Sequence, residues 1–80
     1  MFYKVKDVQA LPNYLLYVKF ENGEDKHYNV ARLFDKWNAF ASLLNDELLF
    51  RQVKIDLGGY GVSWNDDIDL SCDELYHNGV

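Results

Sequence analysis

Ser63-Trp64-Asn65-Asp66-Asp67-Ile68-Asp69-Leu70-Ser71-Cys72-Asp73-Glu74-Leu75-Tyr76, residues 63–76, hold a tryptophan of core character, the densest run of carboxylates, the only cysteine and the clearest helix start of the chain. Ser71-x-x-Glu74 has the form of a capping box, with the serine oxygen on the amide of residue 74 and the Glu74 carboxylate reaching back to the serine amide. Leu70 and Leu75 take the two positions of a hydrophobic staple across that cap. Asp73 and Glu74 fall in the first turn, where the helix dipole favours carboxylates. Cys72, Leu75, Tyr76 and Gly79 recur at helical spacing, and Gly79 suits a place just past the helix end. Asn65-Asp66-Asp67 reads as a turn, and Ile68-Asp69-Leu70 as the lead into the helix.

Upstream of this tail, residues 53–57 alternate, with Val53, Ile55 and Leu57 expected inward and Lys54 and Asp56 outward. Gly58-Gly59-Tyr60-Gly61 is expected to close a hairpin through a two-residue Gly59-Tyr60 loop, pairing Leu57 with Val62 and Ile55 with Trp64. Trp64 is thereby placed in the core.

The front half supplies a second hairpin. Leu16, Val18 and Phe20 give one apolar strand face, and Leu15, Tyr17 and Lys19 the other. A two-residue Asn22-Gly23 loop would set Lys19 against Lys26 and Glu21 against Glu24, which are repulsive pairs. A three-residue loop, Glu21-Asn22-Gly23, with Gly23 left-handed at a bulge, pairs Lys19 with Asp25, Leu16 with Tyr28 and Tyr17 with His27. That register is the expectation. Residues 2–10 read as a preceding strand with a bulge near Lys6-Asp7 or an edge position, because Val5 and Val8 otherwise fall on opposite faces, and Leu11-Pro12-Asn13 is a turn.

Between the hairpins the period becomes helical. Val30, Leu33, Phe34 and Trp37, capped by Asn29, predict a helix of two turns or slightly more. Phe40, Leu43 and Leu44 predict a second short helix, and residues 46–51, with Leu49 and Phe50, a third. The resulting fold class is α+β in two layers, ordered β-β-β-α(short helices)-β-β-α, with antiparallel hairpins packed against helices. Eighty residues make one domain, 1–80, whose 49% apolar and 16% aromatic content is that of a globular chain.

Charge is unevenly placed. Residues 1–40 carry six Lys/Arg against five Asp/Glu, and residues 41–80 carry two against eight, within a net charge of −5. Such a surface repels phosphate backbones, which argues against direct nucleic-acid binding and suits a basic protein partner. No run approaches the roughly 18 apolar residues of a membrane span. One cysteine cannot form an internal disulfide, which fits a cytoplasmic protein.

Candidate chemistries fail on residue type and spacing. Asp67, Asp69 and Ser71 mimic the start of a calcium loop, but Cys72 stands where glycine is needed and Asn78 where glutamate is needed. Cys72 and His77 lack further zinc ligands. Cys72 has no histidine placed to activate it, and Asp73 and Glu74 oppose a thiolate. The glycines at 58–61 lie between strands and open no helix, so they form no phosphate loop. The expectation is thus no catalytic, metal or cofactor residue.

The residues Leu15-Leu16-Tyr17-Val18-Lys19-Phe20-Glu21-Asn22-Gly23, Phe50-x-x-Val53-Lys54-Ile55-Asp56, Val62-Ser63-Trp64 and Ile68-Asp69-Leu70-Ser71-x-Asp73-x-Leu75-Tyr76 together resemble the small bacterial family called domain of unknown function 2442. The family that these residues resemble has no established catalytic activity. The resemblance implies a partner, antitoxin-like or regulatory component of a small bacterial gene pair. Some members are similar to the front of longer proteins that add a DNA-binding helix-turn-helix; the present residues stop at Val80, so a DNA role is expected to be indirect. A ligand-sensing domain is the alternative, and a carboxylate- or metal-assisted enzyme stands behind both. Asp66, Asp67 and Asp69 are the candidate interaction surface. Gly23, Trp64, Leu70, Ser71, Glu74, Leu75 and Tyr76 are expected to be structural.

Overall fold

A computed structural model describes residues 2–80. Six strands form two antiparallel three-stranded sheets. The first sheet is ordered β1 (Val5–Leu11), β2 (Leu15–Phe20), β3 (Asp25–Asn29). The second is ordered β4 (Lys54–Ile55), β5 (Gly61–Asn65), β6 (Ile68–Ser71). Helical pieces connect them, and helix α2 (Cys72–Asn78) follows β6, with α1 (Glu47–Phe50) the other α-helix. This is the expected α+β class, with one strand more than the sequence led us to expect. The segment Ile68–Ser71 pairs with β5 instead of merely leading into the helix.

The first sheet follows local chemistry closely. Lys19 pairs with Asp25, Tyr17 with His27 and Leu16 with Tyr28. Gly23 is left-handed at φ +93°. The Phe20 amide donates to the Glu24 carbonyl at 2.8 Å, so the loop is the three-residue one. In β1 the register slips between Val5 and Asp7, leaving Lys6 as the extra residue of a bulge. That slip lets Val5 bury fully while Val8 stays half-buried. The strand itself begins at Val5, later than the residue-2 start expected.

Between the sheets, the predicted two-turn helix over Val30–Trp37 is replaced by a 3-10 turn, Val30–Leu33, capped by the Asn29 side chain on the Ala31 amide at 3.1 Å. In a 3-10 turn residues i and i+3 eclipse. Val30 and Leu33 therefore both bury, while Phe34 is half-buried and Trp37 is 48% exposed on extended backbone. A second 3-10 stretch, Asn38–Leu43, buries Phe40 and Leu43 but leaves Leu44 exposed. Helix α1 is capped by Asp46 on the Leu49 amide at 3.1 Å and buries Phe50.

The expected alternation over residues 53–57 does not hold. Ile55 pairs with Val62, not Trp64, and Leu57 is 97% exposed. The connection uses four residues, 57–60, between the Asp56 amide and the Gly61 carbonyl, which bond at 2.9 Å. Gly58 and Gly59 are both left-handed, at φ +78° and +80°, which turns the chain too far for a two-residue loop and lifts Leu57 off the sheet. A Cβ on Gly59 would stand 2.8 Å from the Val5 carbonyl oxygen, so this turn presses directly against β1.

One core joins both sheets and the helical pieces. It contains Leu16, Val18, Phe20 and Tyr28 from the first sheet and Val62, Trp64, Ile68 and Leu70 from the second. Leu33, Phe40, Leu43 and Phe50 cap it, and Cys72 and Leu75 close it from α2.

Candidate interaction surface and the cleft beside helix α2

Strand β5 ends in the acidic turn. Asn65 pairs with Ile68, so Asp66 and Asp67 alone form the hairpin tip. The Asn65 Oδ1 accepts the amides of Asp67 at 2.9 Å and Ile68 at 3.0 Å, which holds the tip by side chain rather than by left-handed backbone. Asp66, Asp67 and Asp69 are all exposed, whereas Ile68 and Leu70 between and beyond them are buried. The strand's alternation thus aims Asp69 outward, on the row it shares with Ser63. Ser63 is itself buried and donates to Asp56 Oδ1 at 2.6 Å.

Trp64 sits where β5 slips register between Ser63 and Asn65. Bulges re-aim side chains, and here the indole is 4% exposed with Nε1 donating to the Phe50 carbonyl at 2.9 Å. Phe40 meets Trp64 edge-on at 5.9 Å, and Trp37 lies 5.7 Å from Phe40. An aromatic row therefore runs from the exposed Trp37 to the strand that carries the acidic tip.

At the helix start, Ser71 Oγ accepts the Glu74 amide at 3.1 Å. Only half of the capping box forms. The Glu74 carboxylate turns away from the serine: Oε2 accepts the Tyr28 hydroxyl at 2.7 Å and Oε1 accepts Asn78 Nδ2 at 3.0 Å. A buried phenol needs an acceptor more than an N-terminal amide does, since water can satisfy the latter. Leu70 and Leu75 are both buried in the core, as a staple requires. Tyr76 stacks flat on Tyr3 with ring centroids 3.7 Å apart and donates to the Glu24 carboxylate. Gly79 is not left-handed; its small size matters because a Cβ would crowd the Leu75 carbonyl oxygen and Lys26.

Cys72 is buried at the first position of α2, and burial followed by the neighbouring Asp73 charge pushes its thiol pKa up. That is the opposite of an activated nucleophile. Tyr28 is pushed up to about 12, first by burial and then by its bond to Glu74, with Arg32 acting in the other direction. Among the described residues no three His, Cys, Asp or Glu side chains gather as metal ligands. No helix among them is long and apolar enough to cross a membrane.

Sequence reasoning passed over a cleft between the 3-10 turn after β3 and helix α2. It has a volume of about 360 Å³ and is lined by Arg32, Leu33, Lys36, Trp37, Glu74 and Asn78. Its only signal along the chain is the i, i+4 spacing within each pair, Arg32 with Lys36 and Glu74 with Asn78.

The comparisons agree with the architecture. A family profile described as "Protein of unknown function (DUF2442)" matches residues 5–80. The chain belongs to the DUF2442 family. No curated protein matches it in sequence. The DUF2442 domain is similar to a crystal structure from Nitrosomonas europaea ATCC 19718 described as a "Putative DNA Binding Protein", at 29% identity and a TM-score of 0.82. That match covers 98% of this DUF2442 chain and 49% of the other, so the present residues span about half the length of that neighbour.

Proposed function

We propose that this DUF2442 domain is a non-catalytic protein-interaction module, and that Asp66, Asp67 and Asp69 form the face it offers to a basic partner. The observation that carries this reading is the acidic end of the hairpin: two exposed carboxylates, Asp66 and Asp67, on a turn closed by Asn65, and a third, Asp69, exposed on the adjoining strand β6. Among the described residues both ion pairs, Arg32–Glu74 and Arg51–Glu47, lie elsewhere. Carboxylates presented this way raise association rates with basic surfaces.

The Nitrosomonas neighbour supports a module within a regulator, because the shared fold makes up only about half of a protein described as DNA-binding. With a net charge of −5, this chain is repelled by a phosphate backbone, which argues for a division of labour in which any DNA contact of a longer regulator falls outside this fold. The test is the triple variant Asp66→Asn, Asp67→Asn, Asp69→Asn, with association rates measured across a salt series against the protein that co-purifies with the wild type. Slower association and a flatter salt slope, in a variant with unchanged thermal unfolding, are the expected result. Unchanged rates would reduce the tip to solvated surface, and saturable binding of the isolated domain to duplex DNA would contradict the division of labour.

A further inference from the structure

We propose that the cleft between the 3-10 turn and α2 binds a small aromatic oxyanion, a molecule carrying a phosphate or carboxylate on a planar ring. This goes beyond the interaction reading and does not depend on it. The cleft is lined by two pairs at i, i+4 spacing, of which Glu74 and Asn78 share helix α2 while Arg32 lies in the 3-10 turn and Lys36 just after it. Arg32 and Lys36 stand on one wall, Glu74 and Asn78 on the other, with the buried Leu33 among the lining residues.

The two cations have different surroundings. Arg32 is held over the Tyr28 ring at 5.0 Å, donates to the Asn78 carbonyl at 3.4 Å and lies 4.0 Å from Glu74. The Glu74 carboxylate is in turn occupied by Tyr28 and Asn78. These contacts leave Arg32 and Glu74 already partnered. Lys36 also lines the cleft and, like the other lysines among the described residues, has no carboxylate within ion-pair distance, so its ammonium is open to a ligand. Its sequence neighbour Asp35 is exposed and lines no part of the cleft.

Beside Lys36 stands Trp37. Its indole is half exposed and packs against Phe40 at 5.7 Å with a 42° tilt, so part of the ring is open to a ligand. An unpaired ammonium and an exposed indole lining one cleft match an anion attached to a flat ring: the charge meets Lys36 and the ring stacks on Trp37. The volume of about 360 Å³ lies within the range of small-molecule sites and suits one ring system with its anionic substituent.

The experiment titrates the intact domain with adenosine 5′-monophosphate and with benzoate as the phosphate and carboxylate probes, and with adenosine and inorganic phosphate as half-ligands. Calorimetry and two-dimensional amide NMR give the readouts. We expect saturable one-to-one binding of at least one ring-bearing anion, at least about tenfold tighter than either half-ligand. Amide shifts should centre on Lys36, Trp37 and Asn78. Lys36→Ala and Trp37→Leu should each weaken binding about tenfold, while Lys54→Ala, an exposed lysine on β4, should leave it unchanged. No saturable binding by either ring-bearing anion up to about 10 mM would overturn the proposal, as would equal weakening by Lys54→Ala. Should a cleft variant lose its fold, the wild-type shift map decides: shifts centred away from the cleft overturn the assignment.

Discussion

The Tyr28 hydroxyl on β3 donates to Glu74 Oε2 on α2 at 2.7 Å, across 46 residues of sequence. This bond ties the first sheet to the C-terminal helix, and it has a pH signature. The folded state holds the phenol neutral up to about 12, against an ordinary value of 10.0. A raised tyrosine pKa contributes stability that is complete below about pH 10 and is lost as pH rises through about 12. Tyr17 and Tyr76 are shifted in the same direction, by their bonds to Asp25 and Glu24 first, so the wild type alone does not isolate Tyr28. Denaturant unfolding at pH 8 to 12 of wild type and Tyr28→Phe should do so. The stability difference between them should shrink across the upper part of that range. A constant difference would show that the phenol titrates normally.

Trp64 should behave as core. With its indole buried and bonded to the Phe50 carbonyl, Trp64→Ala is expected to cost about 3–5 kcal/mol. Trp64→Phe keeps most of the packing but leaves that carbonyl unsatisfied, at about 1–3 kcal/mol. The two tryptophans also differ in exposure, 48% for Trp37 and 4% for Trp64. Acrylamide should therefore quench only the red part of the emission. Quenching of the whole band would place Trp64 at the surface.

Three glycines should rank by what surrounds them. Gly23 is left-handed, but nothing lies within 4 Å of the place an alanine methyl would take, so Gly23→Ala meets only the backbone cost, about 1–2 kcal/mol. Gly59→Ala adds a clash with the Val5 carbonyl oxygen 2.8 Å away, in the backbone of another strand. Gly61→Ala would drive a methyl into the Leu70 carbonyl oxygen across the β5–β6 pair, with no left-handed backbone involved. Chemical denaturation should find Gly23→Ala the mildest of the three. Equal losses would mean that the turn at 57–60 yields to accommodate a side chain.

Cys72 should be silent toward thiol reagents in the native state. It is buried, and both burial and Asp73 hold it protonated. With an Ellman-type reagent at pH 8, labelling should track unfolding and accelerate with denaturant. Rapid labelling without denaturant would reveal an accessible thiolate.

Much of this fold is legible locally because the deciding interactions are local. Lys19 and Lys26 repel in one hairpin register, while Lys19 and Asp25 attract in the other, so charge alone selects the three-residue loop that ends in Gly23. Val5 and Val8 call by parity for a bulge near Lys6-Asp7 or an edge position, and β1 has both. Ser71 caps α2 because its acceptor lies three residues away from the amide it serves. Asp66 and Asp67 occupy a turn for the same kind of reason, since Asn65 supplies the oxygen that closes it.

The sequence by itself determined the α+β class, the first hairpin's register, the cap of α2, the burial of Trp64 and the exposure of Asp66, Asp67 and Asp69. Only the tertiary structure decided the rest. Glu74 leaves its own helix start because a buried phenol arrives from β3. Leu57 is expelled because Gly58 and Gly59 turn left-handed where Gly59 meets Val5. Trp37 stays out because a 3-10 turn already buries Val30 and Leu33 on one line. The cleft exists because the turn carrying Arg32 comes to lie against Glu74 and Asn78 of α2. Periodicity and turn chemistry report a residue's preference for burial or bending within a few positions along the chain. They carry no record of which distant surface will arrive to compete for a hydrogen bond or to fill the space.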